Sequence, residues 1–202
     1  MTHKTLLAGV AILASFAFAP AASAQASPTP PPIAQGPAIP GVCVLSVQQA
    51  IATSTVGHFV SERMNQIVAQ VKAELQPEGT AIATDGRALE AKRSTLSAAS
   101  FNSQAQALQA RENAFREKAD LRQREVQATE QKALNRIAQE LDPIARQLYQ
   151  EHHCSILLNK DAVMISNPEM DLTSQSVTGL NGKIQSFAFD REHLDTTAGN
   201  KR

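Results

Sequence analysis

Cys154-Ser155-Ile156-Leu157-Leu158-Asn159-Lys160-Asp161-Ala162-Val163-Met164-Ile165-Ser166-Asn167 is the stretch that decides the fold. Two short apolar runs, 155–158 and 162–165, flank the turn-prone triplet Asn159-Lys160-Asp161, which predicts a β-hairpin. A third run, 42–47 (Val-Cys-Val-Leu-Ser-Val), follows Gly41 far upstream and predicts the first strand. None of the three alternates cleanly between apolar and polar residues, so the sheet they form needs cover on both faces.

Everything between the first strand and the hairpin has helical texture. Met64, Ile67 or Val68, Val71 and Leu75 recur at three-four spacing, and Leu134, Ile137, Leu141, Ile144 and Leu148 form the cleanest heptad pattern. Ile82, Leu89 and Leu96 keep a seven-residue step with polar partners between them. Pro77 with Gly79 should kink the first limb, and Pro143 should bend the second. The polar, cap-rich stretch 94–103 predicts the turn between limbs of roughly 50 residues, about 70–75 Å each at helical rise. The chain then goes out and returns. Asp171 or Thr173 is placed to cap a last helix carrying Val177, Leu180, Ile184 and Phe187, which Gly179 and Gly182 weaken.

The expected class is α+β, mostly α, in which a long antiparallel helical hairpin rises from a small sheet. Its divisions are a signal peptide at 1–24, a Pro-rich leader at 25–40, a body at 41–47 and 154–190, the hairpin at 48–153 and a flexible tail at 191–202. Lys4, the apolar run 6–19 and Ala22-Ser23-Ala24 have the order of a cleaved secretory signal, and the run is short for a membrane anchor. No later stretch is apolar enough to span a bilayer. Cys43 is too far beyond that signal to be a lipidation site. Export would place Cys43 and Cys154 in an oxidising compartment, where a disulfide between them is expected over two buried thiols. Whether such a bridge lies within or between subunits stays open at this stage.

The order of signal, strand, helical hairpin, strand-turn-strand and terminal helix resembles the Skp (OmpH-like) periplasmic chaperones of Gram-negative bacteria. The residues that carry the resemblance are the quoted stretch from Cys154, then Met170-Asp171-Leu172-Thr173, and the opening strand 42–47. It covers about residues 41–194. The resemblance implies a homotrimer in the periplasm, whose joined sheets form a body and whose three hairpins enclose unfolded outer-membrane β-barrel proteins without using ATP. Well-known members are strongly basic, whereas this chain of 202 residues balances 19 Lys and Arg against 19 Asp and Glu. The Pro-rich leader is not a usual family part, and no basic motif matches the lipopolysaccharide site proposed within the family.

Physical argument also points to self-association. A few short strands cannot bury enough surface to stand alone, so the body should be completed by other copies. The residues expected there are Val42, Val44, Leu45, Ile156, Leu157, Val163 and Met164. For client contact, the distal hairpin offers eight cationic residues against four acidic ones between Arg87 and Arg124, amid sparse apolar residues. The collective surface comprises Arg87, Leu89, Lys92, Arg93, Leu96, Phe101, Leu108, Arg111 and Phe115, suited to many shallow contacts with an unfolded chain. Equally, its apolar members could pack the limbs together and its charges form an ordinary solvated face.

The zero net charge predicts no nucleic-acid partner. Glu151-His152-His153-Cys154 has ligand-type residues but diverging side chains and no second cluster, so it reads as a helix-end junction, with no metal or other cofactor expected. His58 is expected as a partly buried packing residue. No phosphate loop, nucleophile elbow or His-Glu-x-x-His motif is present, so the chain reads as a non-enzyme. A structural or adaptor coiled coil of the cell envelope is the alternative reading.

Overall fold

The computed structural model describes residues 35–195. The expected signal peptide, most of the Pro-rich leader and the last seven residues lie outside them. Strand β1 (Val42–Leu45) leads into a short helix α1 (Val47–Thr53), then α2 (Thr55–Ala91) runs out and α3 (Ala98–Glu151) runs back. Strand β2 (Ile156–Asn159), two single 3-10 turns and helix α4 (Thr173–Lys183) complete the order. At 54 residues, α3 is about 80 Å long at 1.5 Å per residue.

Three serines start the first three helices. Ser46, Ser54 and Ser97 accept hydrogen bonds from the backbone N–H groups of Gln49, Gly57 and Ser100, satisfying donors that a helix start leaves unpaired. The break at Ser54 was not expected. It separates α1 from α2, and the chain turns so tightly there that a Cβ on Gly57 would lie 1.9 Å from the Ile51 carbonyl oxygen, so only glycine fits. The outgoing limb is therefore two helices, and the limbs are unequal. The tip is shorter than expected, with α3 already under way at Ala98. Both helices continue through Pro77 and Pro143. Each proline is exposed, so the carbonyl it leaves unbonded one turn back is open to water.

The return of the chain is set by a Schellman-type ending of α3. His153 takes a positive φ of 50°, while its N–H bonds to Gln150 O and the N–H of Cys154 bonds to Tyr149 O. Cys154 is thereby delivered beside Cys43, and the two form a disulfide within the chain, with Cα atoms 5.8 Å apart. The bridge closes a loop spanning 111 positions.

The sheet differs from the expected hairpin. β1 and β2 pair in parallel, Val42 opposite Ile156 through Leu45 opposite Asn159. A connection as long as α1–α3 permits parallel pairing, which a tight turn does not. Residues 162–165 form no second strand. The Asn159 side chain accepts from Asp161 N–H and starts a 3-10 turn at Lys160–Ala162. Ser46 Oγ then donates to Asp161 at 2.9 Å and draws the chain toward α1. The other edge of β1 is already taken, by the bridge from Val44 to Asp171 and by Leu172 N–H donating to Val44 O.

The main apolar core lies at the stem of the hairpin. It joins Val56, Val60, Met64 and Ile67 of α2 to Ala133 and Ile137 of α3 and Leu180 of α4. Ile67, not Val68, takes the buried position. On α3 the buried stripe runs Glu125, Thr129, Ala133, Ile137, Leu141, a strict four-residue step that leaves Leu134 to one side. α4 packs closely because Gly179 has no side chain: a Cβ there would come within 2.8 Å of Ile144. The helix ends at Lys183, so Ile184 and Phe187 lie in an extended segment beyond it. His58 is exposed rather than packed inside.

Candidate functional site: the body edge and the distal arms

Two surfaces carry the residues singled out by sequence. In the body, Val44 and Leu45 are buried within their own chain, against its core and α4, and are not open to another copy. Val42, Leu157 and Val163 are half-buried. The exposed apolar side chains are Ile156 and Leu158 on one face of β2, followed by Met164 and Ile165, Met164 having no cover at all. Leu158 and Ile165 were not among the expected body residues. Among the described residues the outer edge of β2 has no paired strand. An unpaired strand edge beside a cluster of exposed aliphatic side chains is the surface on which another strand would be accommodated.

A polar knot holds that edge in place. Thr173 Oγ1 accepts from Ser46 N–H at 3.0 Å and donates to Asp171 Oδ1, which also takes the Thr173 N–H at 2.9 Å. Lys160 pairs with the second oxygen of Asp171. Burial alone would raise the Asp171 carboxyl, but the Lys160 ammonium and the two Thr173 donors outweigh it and hold its pKa below the ordinary value. The sign of the consequence follows. With the folded value depressed, the stabilisation is complete above the unfolded carboxylate pKa of about 3.9 and is lost as pH falls through the lower folded value. Asp171→Asn is expected to cost about 1–3 kcal/mol at neutral pH. Urea midpoints of the variant should fall less steeply than those of the wild type below about pH 4.

In the distal arms the apolar members of the expected client surface are half-buried. Phe115 packs on Gly79, where a Cβ would approach its ring to 3.2 Å, and Leu108 stands beside Gly86. The Arg93 guanidinium lies 5.2 Å from the centre of the Phe101 ring. Leu89 and Leu96 are likewise half-buried. Phe115 and Leu108 thus contribute packing between the limbs. The cations stand outside that packing: Arg87, Lys92, Arg93 and Arg111 are exposed, with Arg93 paired to Glu90 and Arg111 to Asp85 across the limbs at 2.6 Å. In the outer part of the hairpin Ile82 is the buried apolar residue, supplemented by the exposed ion pair Arg111–Asp85 and the half-buried pair Lys118–Glu78. Exposed pairs contribute about 1 kcal/mol or less each, so the outer seam is weakly held.

Sequence reasoning missed a third feature. Glu125, with its side chain 2 % exposed, sits in the buried stripe of α3 at a four-residue step from Thr129. That spacing was the available signal for it. The segment after α4 was expected to fray from residue 191, yet Arg191 pairs with Glu74 at 2.9 Å and with Glu125 at 3.4 Å. Hydrogen bonds from Arg191, and then from Arg122, hold the Glu74 carboxyl below its usual pKa. At the base of the stem, Val47, Ile51, Met64, Val68, Val126 and Leu134 line an open apolar groove of about 750 Å³.

Comparison with known families places this architecture. The family model described as "Outer membrane protein (OmpH-like)" matches residues 41–180. The chain belongs to the OmpH-like family. Among solved structures it is similar to an OmpH-like protein of Caulobacter crescentus CB15, provisionally named an outer membrane chaperone. The two share 46% identity and a TM-score of 0.70, over 83% of this chain and 99% of that one. Curated proteins return no significant match. OmpH-like membership accords with a mostly helical chain on a small sheet, and supports a general chaperone role. Among the described residues no helix is long and apolar enough to cross a membrane.

Proposed function

We propose that this chain is an ATP-independent periplasmic holdase that shields unfolded outer-membrane β-barrel proteins between helical arms. The observation that carries the reading is the division of the chain: helices of 37 and 54 residues stand on a sheet of two four-residue strands. Such a chain commits most of its length to projecting surface and little to a closed core. The working unit is a homotrimer, in which the β2 edge and the Ile156, Leu158, Met164 and Ile165 side chains join neighbouring copies. Three hairpins then wall a cavity. Clients are retained by many shallow contacts with the cations Arg87, Lys92, Arg93 and Arg111 and the half-buried Leu89, Leu96, Phe101, Leu108 and Phe115, each weak enough to release without ATP. The reading assigns no catalytic residue.

The experiment is dilution of a urea-unfolded outer-membrane barrel protein into buffer with the purified mature protein in molar excess, followed by light scattering. Aggregation is expected to be suppressed equally with and without ATP. Replacing Arg87, Lys92, Arg93 and Arg111 together by Ser should weaken suppression several-fold, and more so at low ionic strength, where their charges are least screened. Unchanged aggregation in the presence of the wild type would sink the proposal.

A further inference from the structure

The extended segment 184–195 lies beyond the family match at 41–180 and touches both limbs of the hairpin. On the α2 side, Phe187 and Phe189 pack against Phe59, with ring centres 6.4 Å from it in both cases and 5.3 Å from each other. Arg63 donates to Phe189 O at 3.3 Å and pairs with Asp190. On the α3 side, the Glu192 N–H donates to Thr129 Oγ1 at 2.9 Å, and its carboxylate takes Lys132 at 2.7 Å. Leu194 N–H donates to Glu125 Oε1 at 3.2 Å. Within the segment, Arg191 reaches both limbs, to Glu74 on α2 and Glu125 on α3.

Glu125 makes this more than a tail lying on a surface. A carboxylate so deeply buried is tolerated only when it is paired and hydrogen-bonded. Arg122, from the preceding turn of the same helix, supplies one partner at 3.1 Å and also reaches Glu74 at 2.8 Å. The remaining partners come from the C-terminal segment: the Arg191 guanidinium as an ion pair at 3.4 Å and the Leu194 N–H as a hydrogen-bond donor, with the His193 ring 4.0 Å away. Removing the segment would leave a buried charge short of partners at the centre of the hairpin.

The position of this cluster coincides with a change in packing. On the body side of Glu74 and Glu125, the limbs enclose the dry core of Val56, Val60, Met64, Ile67, Ala133 and Ile137. On the tip side, the seam falls to Ile82, half-buried side chains and the exposed or half-exposed ion pairs Arg111–Asp85 and Lys118–Glu78. We propose that residues 184–195 are a clasp that pins the two limbs together at Glu74 and Glu125, so that opening of the arms begins beyond that point. The clasp fixes how much of the hairpin moves: roughly the outer half of α2 and the facing part of α3. It concerns arm mechanics and stands or falls independently of the client reading.

The test is amide hydrogen exchange, read by mass spectrometry, on the full-length mature protein and two full-length variants. Arg191→Ala removes the residue through which the segment reaches both limbs. Phe187→Ser with Phe189→Ser releases the aromatic anchor and leaves the Glu125 cluster untouched in sequence. In both, exchange in the stem peptides covering 60–75 and 122–135 is expected to accelerate at least tenfold. Peptides from β1, β2 and α4 should keep wild-type rates, and those from 80–115 should be fast in all three proteins. Stem peptides that exchange at wild-type rates in both variants would overturn the clasp. So would acceleration of equal size throughout the body, since the segment would then be adding general stability.

Discussion

Replacing Cys43 and Cys154 together by Ala is expected to lower unfolding stability by about 4–5 kcal/mol. The chain-entropy account gives about 4.7 kcal/mol for a closed loop of 100 residues, and the loop here spans 111 positions. Nothing else ties the two ends of the hairpin so economically, because β1 and β2 share only four paired positions. Both cysteines are buried with Leu172, while Leu148, Tyr149 and Leu157 pack around them. Alanine avoids placing a hydroxyl there, so the loss reports the missing cross-link and a small cavity rather than an unsatisfied polar group. The measurement is urea unfolding of both proteins at one protein concentration, since an oligomer's stability depends on that concentration. A thiol assay on unfolded, unreduced wild type should find no free thiol. Two free thiols per chain would mean that the bridge does not form. A bridge that forms but whose loss costs under about 1 kcal/mol would mean that the unfolded chain already holds its ends together.

How far the sequence carries this fold can be traced at particular residues. The helical limbs were legible because Met64, Ile67, Ile137 and Leu141 repeat with the helix period, and period survives in any environment. The direction of β2 was not. A triplet such as Asn159-Lys160-Asp161 suits a tight turn and a 3-10 turn alike. What decides between them is long-range: Ser46 bonding to Asp161, and Asp171 occupying the second edge of β1. The apolar run 162–165 read as a buried strand, yet Met164 and Ile165 are exposed, and among the described residues no strand pairs with it. The break at Ser54 also escaped notice, because Ser and Gly57 within a helical pattern read as mild defects rather than as a cap and a close approach. Glu125 was hidden for a different reason. A charged residue is counted as surface unless its partners are known, and Arg191 is 66 positions away in sequence. At the distal arms, spacing located the residues but could not separate packing from binding, since Phe115 and Leu108 pack and still remain half-exposed.

Placing a charge on the body's apolar edge is expected to take the protein from three chains to one. In the proposed trimer, Ile156, Leu158, Met164 and Ile165 lose their exposure to water at the junction of neighbouring copies. Each large aliphatic side chain fully buried there contributes about 1.5–3 kcal/mol. An aspartate at position 165 forfeits one such contribution and must also be dehydrated without a partner, a cost of several kcal/mol that recurs at each of three equivalent junctions. Because the interfaces are equivalent by symmetry, one substitution weakens all of them together. Absolute mass from light scattering across a dilution series should therefore show three chains for wild type and one for Ile165→Asp. The circular-dichroism signal of the helices should stay close to wild type, because the stem core of Val60, Ile67 and Ile137 lies within a single chain. Loss of holding activity must accompany loss of mass, since one hairpin encloses no cavity. A wild type that is a single chain at every concentration would remove the cage at its foundation. The hairpin would then serve as a spacer between fixed partners, and the exposed β2 edge would belong to one of them.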